Sequence, residues 1–247
     1  MPDLVLLRHG ESEWNHANRY TGWTDVDLTV RGEAEARQAG KLLAENQIRL
    51  DWCCTSLLRR AIRTLWLVLD ELQQTWVEID KDWHLNERHY GALQGLNKAE
   101  STLIFGREQV FSWRRSFNVR PPQLQMSDSR HPRFDVRYHA VFPDRLPAGE
   151  SLADTQKRVL DYWADRVAPA LQAGKNVLLV AHGNSLRALV TYLNHIDEKD
   201  VPDLTVPTGI PLVYHLDEQL NCISSRYLAH AQVVKEAEIT TPQGLKG

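Results

Sequence analysis

Two histidines close apolar runs in this 247-residue chain, His9 in LVLLRHG and His182 in VLLVAHG. Each is followed by glycine, which allows a tight turn and close ligand approach. The free N–H groups of a helix start beyond such a turn can receive an anion. A lone histidine there could equally be a hydrogen-bonded structural residue. The repeated layout on two distant stretches argues instead for one shared site.

Arginine narrows the chemistry. Arg8 precedes His9, and Arg59, Arg60 and Arg63 stand together in SLLRRAIRT. On a helix Arg59 and Arg60 point apart, whereas Arg60 and Arg63 can share a side. The planar guanidinium matches phosphate oxygens and keeps its charge at working pH. His9, His84, His89 and His182 could suggest zinc, but they form neither HExxH nor a carboxylate-supported ligand set, so no metal is expected. The pattern fits a neutral His9 attacking a phosphoryl group, with His182 and arginines stabilising its equatorial oxygens.

Such a transfer also needs a group to move the substrate proton. LNERHYGALQGLNK, at 85–98, offers Glu87, with Gly91 and Gly95 to let a loop close around a ligand. The competing possibility is a surface pair between Glu87 and Arg88 or Arg114. Lys98, Arg114 and Arg115 could likewise be a solvated face, or together hold a substrate with two ionic groups.

These residues need elements to place them. Residues 4–7 and 176–181 are nearly continuous apolar runs, as in strands buried on both faces of a mostly parallel sheet, whose ligands gather beyond the strands' carboxyl ends. Helical spacing predicts a helix over about 30–44, with Ala34, Ala39, Leu42 and Leu43 on one face. A weaker strand is predicted at 50–54. Ser56 can then cap a helix carrying Ala61, Leu65, Val68, Leu69 and Leu72. Residues 80–149 are rich in proline and charge, with short helical stretches near 97–104 and 108–116. They read as an elaboration over one end of a single domain spanning 1–247. Ser151-Leu152-Ala153-Asp154 is a capping box for a helix that Pro169 should limit. A helix after Gly183, a strand at 213–216 and a mobile tail at about 232–247 complete the expectation.

Composition sets the remaining bounds. Apolar residues are 43% and charged residues 25%, and Lys+Arg 29 against Asp+Glu 32 leaves a net charge of −3. That balance offers no field to gather nucleic acid or an anionic membrane. Three cysteines without CxxC spacing suggest a reducing compartment, the cytoplasm. No run reaches the length of a membrane span.

The strings RHGESEWN, TGWTDVDLT, LNERHYGALQGLNKAE, WRRSF, PAGESLADT, AHGNSLRALV and PTGIPLVY stand in order along nearly the whole chain. In them the sequence resembles the cofactor-dependent phosphoglycerate mutases, within the wider histidine phosphatase superfamily. The resemblance implies a three-layer α/β/α sandwich and interconversion of 3- and 2-phosphoglycerate in glycolysis and gluconeogenesis, with 2,3-bisphosphoglycerate as priming cofactor and a homodimer or homotetramer as the assembly. It also implies that His9 is the phosphohistidine, Glu87 the proton donor and acceptor, and His182 the stabiliser of the moving phosphoryl group. Arg8 and Arg60 match its phosphate-gripping arginines. Asn15, Thr21, Gly22, Tyr90, Lys98, Arg114, Arg115, Gly183 and Asn184 match further substrate contacts, with Arg88 and His89 in the same loop. SDSRHPRFDVRY, at 127–138, and the chain end after Tyr227 depart from the family pattern. Both bear on closure over the site and on how much phosphate passes to water.

Overall fold

The computed structural model describes residues 2–240. Among them a six-stranded sheet has the order β3-β2-β4-β1-β5-β6. The strands are β1 (Asp3–Arg8), β2 (Trp52–Thr55), β3 (Ile79–Lys81), β4 (Val177–Ala181), β5 (Leu212–Leu216) and β6 (Cys222–Tyr227). The first four run parallel, and β5 and β6 form an antiparallel edge. Register pairs Leu7 with Val180 and Arg8 with Ala181, so both histidine-bearing ends leave the sheet side by side.

A short helix, α1 (Glu13–His16), follows β1, and alternation along β1 sorts the layers. Val5 and Leu7 pack with Ala39 and Leu43 of α2 (Val30–Glu45) and with Ala61, Leu65 and Val68 of α3 (Arg59–Glu71). Leu4 and Leu6 pack with Val159 of α6 (Leu152–Tyr162) and with Leu186, Leu189 and Leu193 of α8 (Gly183–Leu193). The result is the three-layer α/β/α sandwich with a mostly parallel central sheet, as expected.

Details depart from the sequence reading. The buried face of α2 is Gly32, Ala36, Ala39, Gly40 and Leu43, with Ala34 outside. A side chain at Gly40 would meet Val68 O at 3.0 Å, so α2 and α3 approach more closely than larger residues allow. Ser56 does not cap α3; its N-cap is Leu58, without a side-chain bond. Pro169 does not end the helix begun at Ser151. That helix widens into a π turn at Trp163–Val167, and Pro169 lies in the first turn of α7 (Ala168–Gln172), where a missing N–H is tolerated. The short helices α4 (Lys98–Phe105) and α5 (Arg107–Arg115) occur as spaced. The expected mobile tail is helical as far as it is described, α9 (Ala231–Thr240), with Val234 buried; residues 241–247 lie outside the described residues. Strands β3 and β6 had no clear sequence pattern.

Candidate functional site

His9 follows β1 directly, and its backbone N–H donates to Ala181 O at 3.0 Å. Nδ1 sits 2.7 Å from Gly10 O. Because a carbonyl can only accept, the ring proton is on Nδ1, and the lone pair is left on Nε2. Arg60 Nε donates to that Nε2 at 3.3 Å, and its other nitrogens are held by Gly22 O and Thr24 O at 2.9 Å each. Burial, then Arg60 and Arg8, pushes the His9 pKa well below its ordinary value. His9 is therefore a neutral, oriented base with its reactive nitrogen beside a fixed cation. His182 packs against it edge-on, with centroids 4.9 Å apart, and its Nε2 is 2.7 Å from Ser56 Oγ. Burial, Arg60 and the neighbouring His9 keep His182 neutral as well.

Of the SLLRRAIRT arginines, only Arg60 reaches this pair. Arg63 turns to Asp27 at 2.6 Å and to Glu33 at 2.5 Å, and Arg59 lies at the surface near Asp27.

A cleft that adjoins the histidines through Arg8 and Gly183 is lined also by Asn15, Thr21, Gly22, Glu87, Tyr90, Lys98, Arg114, Arg115 and Asn184, while His9, Arg60 and His182 themselves lie outside its lining. Each was singled out in the sequence. Arg19, Arg187, Thr205 and Val206 also line it and were not. Arg187 was within reach of spacing, since it lies three residues after Asn184 on one helix. Glu87 is buried rather than paired at the surface: Oε1 accepts from the N–H of Arg88 at 2.8 Å and of Asn184 at 3.0 Å. Arg88 and His89 do not line the cleft. Arg88 is wholly buried under the Tyr90 ring, 4.6 Å from its centroid, and donates to Arg114 O. His89 is turned inward, accepts the Gly91 N–H on Nδ1, and is driven by burial to a pKa of about 3. Both shape the loop around Glu87.

That loop is held from outside the cleft. Arg158 of α6 donates to Glu150 at 2.7 and 2.9 Å, and to the carbonyls of His84, Asn86 and Glu87 at 2.6, 2.9 and 3.0 Å. Trp23 Nε1 donates to Glu87 O at 2.6 Å. Glu150 also receives the His89 N–H. Both side chains of the ion pair are only 6% exposed, so removing one strands a buried charge. Arg158→Met is expected to cost ~3–5 kcal/mol of stability in denaturant unfolding. A loss below ~1 kcal/mol would show that the pair is solvated.

The cleft wall carries six cations, Arg8, Arg19, Lys98, Arg114, Arg115 and Arg187, against the single carboxylate of Glu87. The excess shows in Lys98, which burial, then Arg114 and Arg8, lowers from 10.5 to about 7. A bound anion favours the charged amine, so above pH 7 binding of a small phosphate ester should take up a proton at Lys98. Below pH 7 the amine already carries its proton, and that uptake fades. Calorimetric heats at pH 8 should therefore vary with the ionisation enthalpy of the buffer, and Lys98→Met should remove the dependence. Among the described residues no cluster of three or more His, Cys, Asp or Glu is placed to hold a metal. None of their helices is long and apolar enough to cross a membrane.

The model of the histidine phosphatase superfamily, branch 1, matches residues 4–130 and 124–221. The chain belongs to that superfamily, and its chemistry is phosphoryl transfer or hydrolysis on a small phosphate ester. Among solved structures it is similar to a mycobacterial protein described as hydrolase 1, at 25% identity and a TM-score of 0.68, over 92% of this chain and 96% of that one. It is also similar to the native mycobacterial glucosyl-3-phosphoglycerate phosphatase, at 25% identity and 0.67, over 92% and 97%. The α-ribazole phosphatase of Shigella flexneri shares the fold, at 22% identity and 0.64, over 90% and 94%.

Proposed function

We propose that this chain, as one catalytic unit, interconverts 3-phosphoglycerate and 2-phosphoglycerate through phosphorylated His9. The observation that carries the reading is the cleft wall of six cations around one carboxylate, which suits a small substrate with two anionic groups held in either orientation. The same cations suit 2,3-bisphosphoglycerate: Arg8 and Arg60 would hold the phosphate nearest His9, and Lys98, Arg114 and Arg115 the far anionic groups. When bound, it supplies the phosphoryl group that charges His9.

The chain's own groups then divide the work. His9 Nε2 carries the phosphoryl group while Gly10 O keeps the Nδ1 proton and steadies the imidazolium. Arg60 turns its Nε–H from the nitrogen to a phosphoryl oxygen, as its other nitrogens stay anchored. Ser56 Oγ accepts from the Leu58 N–H, and donation of its own proton to His182 Nε2 leaves His182 with Nδ1–H as a donor. In transfer to substrate, the oxygen–phosphorus bond forms, the Nε2–phosphorus bond breaks, and Glu87 takes the hydroxyl proton. In the return half Glu87 gives that proton to the leaving oxygen.

Hydrolysis of a small phosphate ester is the second reading. It uses the same phosphohistidine, and the phosphatases among the solved structures favour it. Phosphorus NMR separates the two: purified protein is given 3-phosphoglycerate with trace 2,3-bisphosphoglycerate and a chelator. Formation of 2-phosphoglycerate is the expected result. Free phosphate without isomer would establish the phosphatase instead, and loss of turnover on chelation would point to a metal. Assembly into a dimer or tetramer belongs to the same proposal and is read by light scattering.

A further inference from the structure

The cations in and around the cleft fall into two groups. Those acting on His9 are Arg60 and Arg8, and on His182 Arg60, Arg158 and Arg8. Arg187 belongs to neither set. Burial, followed by Arg115 and Arg88, lowers its pKa to about 9, while Tyr90 and Glu87 act the other way. The side chain is 5% exposed, and among the described residues no carboxylate forms an ion pair with it. Nη1 donates to Asn184 Oδ1 at 3.0 Å and Nη2 to Val201 O at 2.8 Å, while Nε is buried without a protein partner. A buried guanidinium fixed at two points, without an ion pair and with like charges outweighing the one carboxylate that acts on it, is costly unless an anion completes it.

Location says which part of a ligand that anion would be. Arg187 lines the same cleft as Arg8 and Glu87, next to Asn184, whose N–H holds Glu87 and whose Nδ2 donates to Tyr90 OH at 3.2 Å. We infer that Arg187 is a specificity-determining residue: with Arg115 and Asn184 it forms the subsite for the second, non-transferring anionic group of the substrate. The cleft would then select phosphate esters bearing a carboxylate or a second phosphate over esters with a neutral tail. This rests on the proposed phosphoester reading of the site and adds to it a residue that sets its selectivity.

The test compares two ligands by calorimetry on the full chain: 3-phosphoglycerate, with two anionic groups, and phenyl phosphate, with one. Arg187→Gln should weaken 3-phosphoglycerate binding about tenfold more than phenyl phosphate binding, with Arg187→Lys between it and the parent chain. Equal weakening of both ligands, or none for either, would overturn the subsite, because a structural role for Arg187 does not distinguish the tails. Arg187→Lys keeps the charge and guards against a misfolded glutamine variant. The readout needs no turnover, so a parent chain that binds both ligands yet never forms phosphohistidine would defeat the transfer reading and leave the selectivity ratio to decide the subsite.

Discussion

His9→Ala is expected to abolish acid-labile phosphorylation of the protein and to lower turnover of its phosphate ester, phosphoglycerate in the proposed reading, by ~10⁴–10⁶-fold, the range seen when a catalytic nucleophile is removed. The size follows from the geometry. His9 Nε2 carries the lone pair of a buried ring, held only by the long 3.3 Å donation from Arg60, with its proton fixed by Gly10 O and its pKa held low by burial, Arg60 and Arg8. His182 cannot take over, since its Nε2 is engaged with Ser56 at 2.7 Å. The fold should survive the change, because the ring packs at the sheet end beyond the main apolar clusters. The check is a radiolabel from 2,3-bisphosphoglycerate, its acid lability, and stopped-time turnover. Persistence of the label in the alanine variant would place the nucleophile elsewhere.

Glu87→Gln should have the second largest effect, a fall of ~10²–10⁴-fold on phosphoglycerate, the usual worth of a positioned proton-transfer group. Glutamine keeps the shape and can still accept the Arg88 and Asn184 N–H groups that now reach Oε1. It cannot move a proton. The loss should therefore depend on the leaving group: p-nitrophenolate departs without protonation, so phosphorylation of His9 from p-nitrophenyl phosphate should fall at least ~10-fold less than phosphorylation from a phosphoglycerate. Equal losses on both esters would mean that Glu87 acts only by holding Asn184 and the loop.

Much of this site was legible because its parts announce themselves locally. An apolar run that stops at Arg8-His9-Gly10 reads as a buried strand delivering polar groups at its end, and Ala181-His182-Gly183 repeats the signal. The charge excess of Lys98, Arg114 and Arg115 was equally plain, as were the capping box at Ser151 and the short helices α4 and α5. Where the reading failed, the deciding contact was distant. Ala34 and Ala36 are alike in composition, and only the docking of α2 on α3 buries the second. Pro169 signals a boundary, but whether the boundary ends one helix or starts another depends on the π turn before it. Ser56 has the right chemistry for a cap, yet His182, 126 residues away, claims its hydroxyl.

Sequence by itself determined the reactive residue types, their placement at strand and helix ends, and the anionic character of the ligand they expect, since these depend on side-chain chemistry and short-range periodicity. Spacing left open which of Arg59, Arg60 and Arg63 faces His9, the resemblance pointed to Arg60, and tertiary structure sets Arg60 against His9, turns Arg88 and His89 away from the cleft and brings Arg187 into its wall. Those outcomes hang on the parallel register of β1 with β4 and on the clamp of Arg158 over the Glu87 loop. Both join segments far apart in the chain, and their geometry is set by packing across the whole domain, which no local pattern encodes.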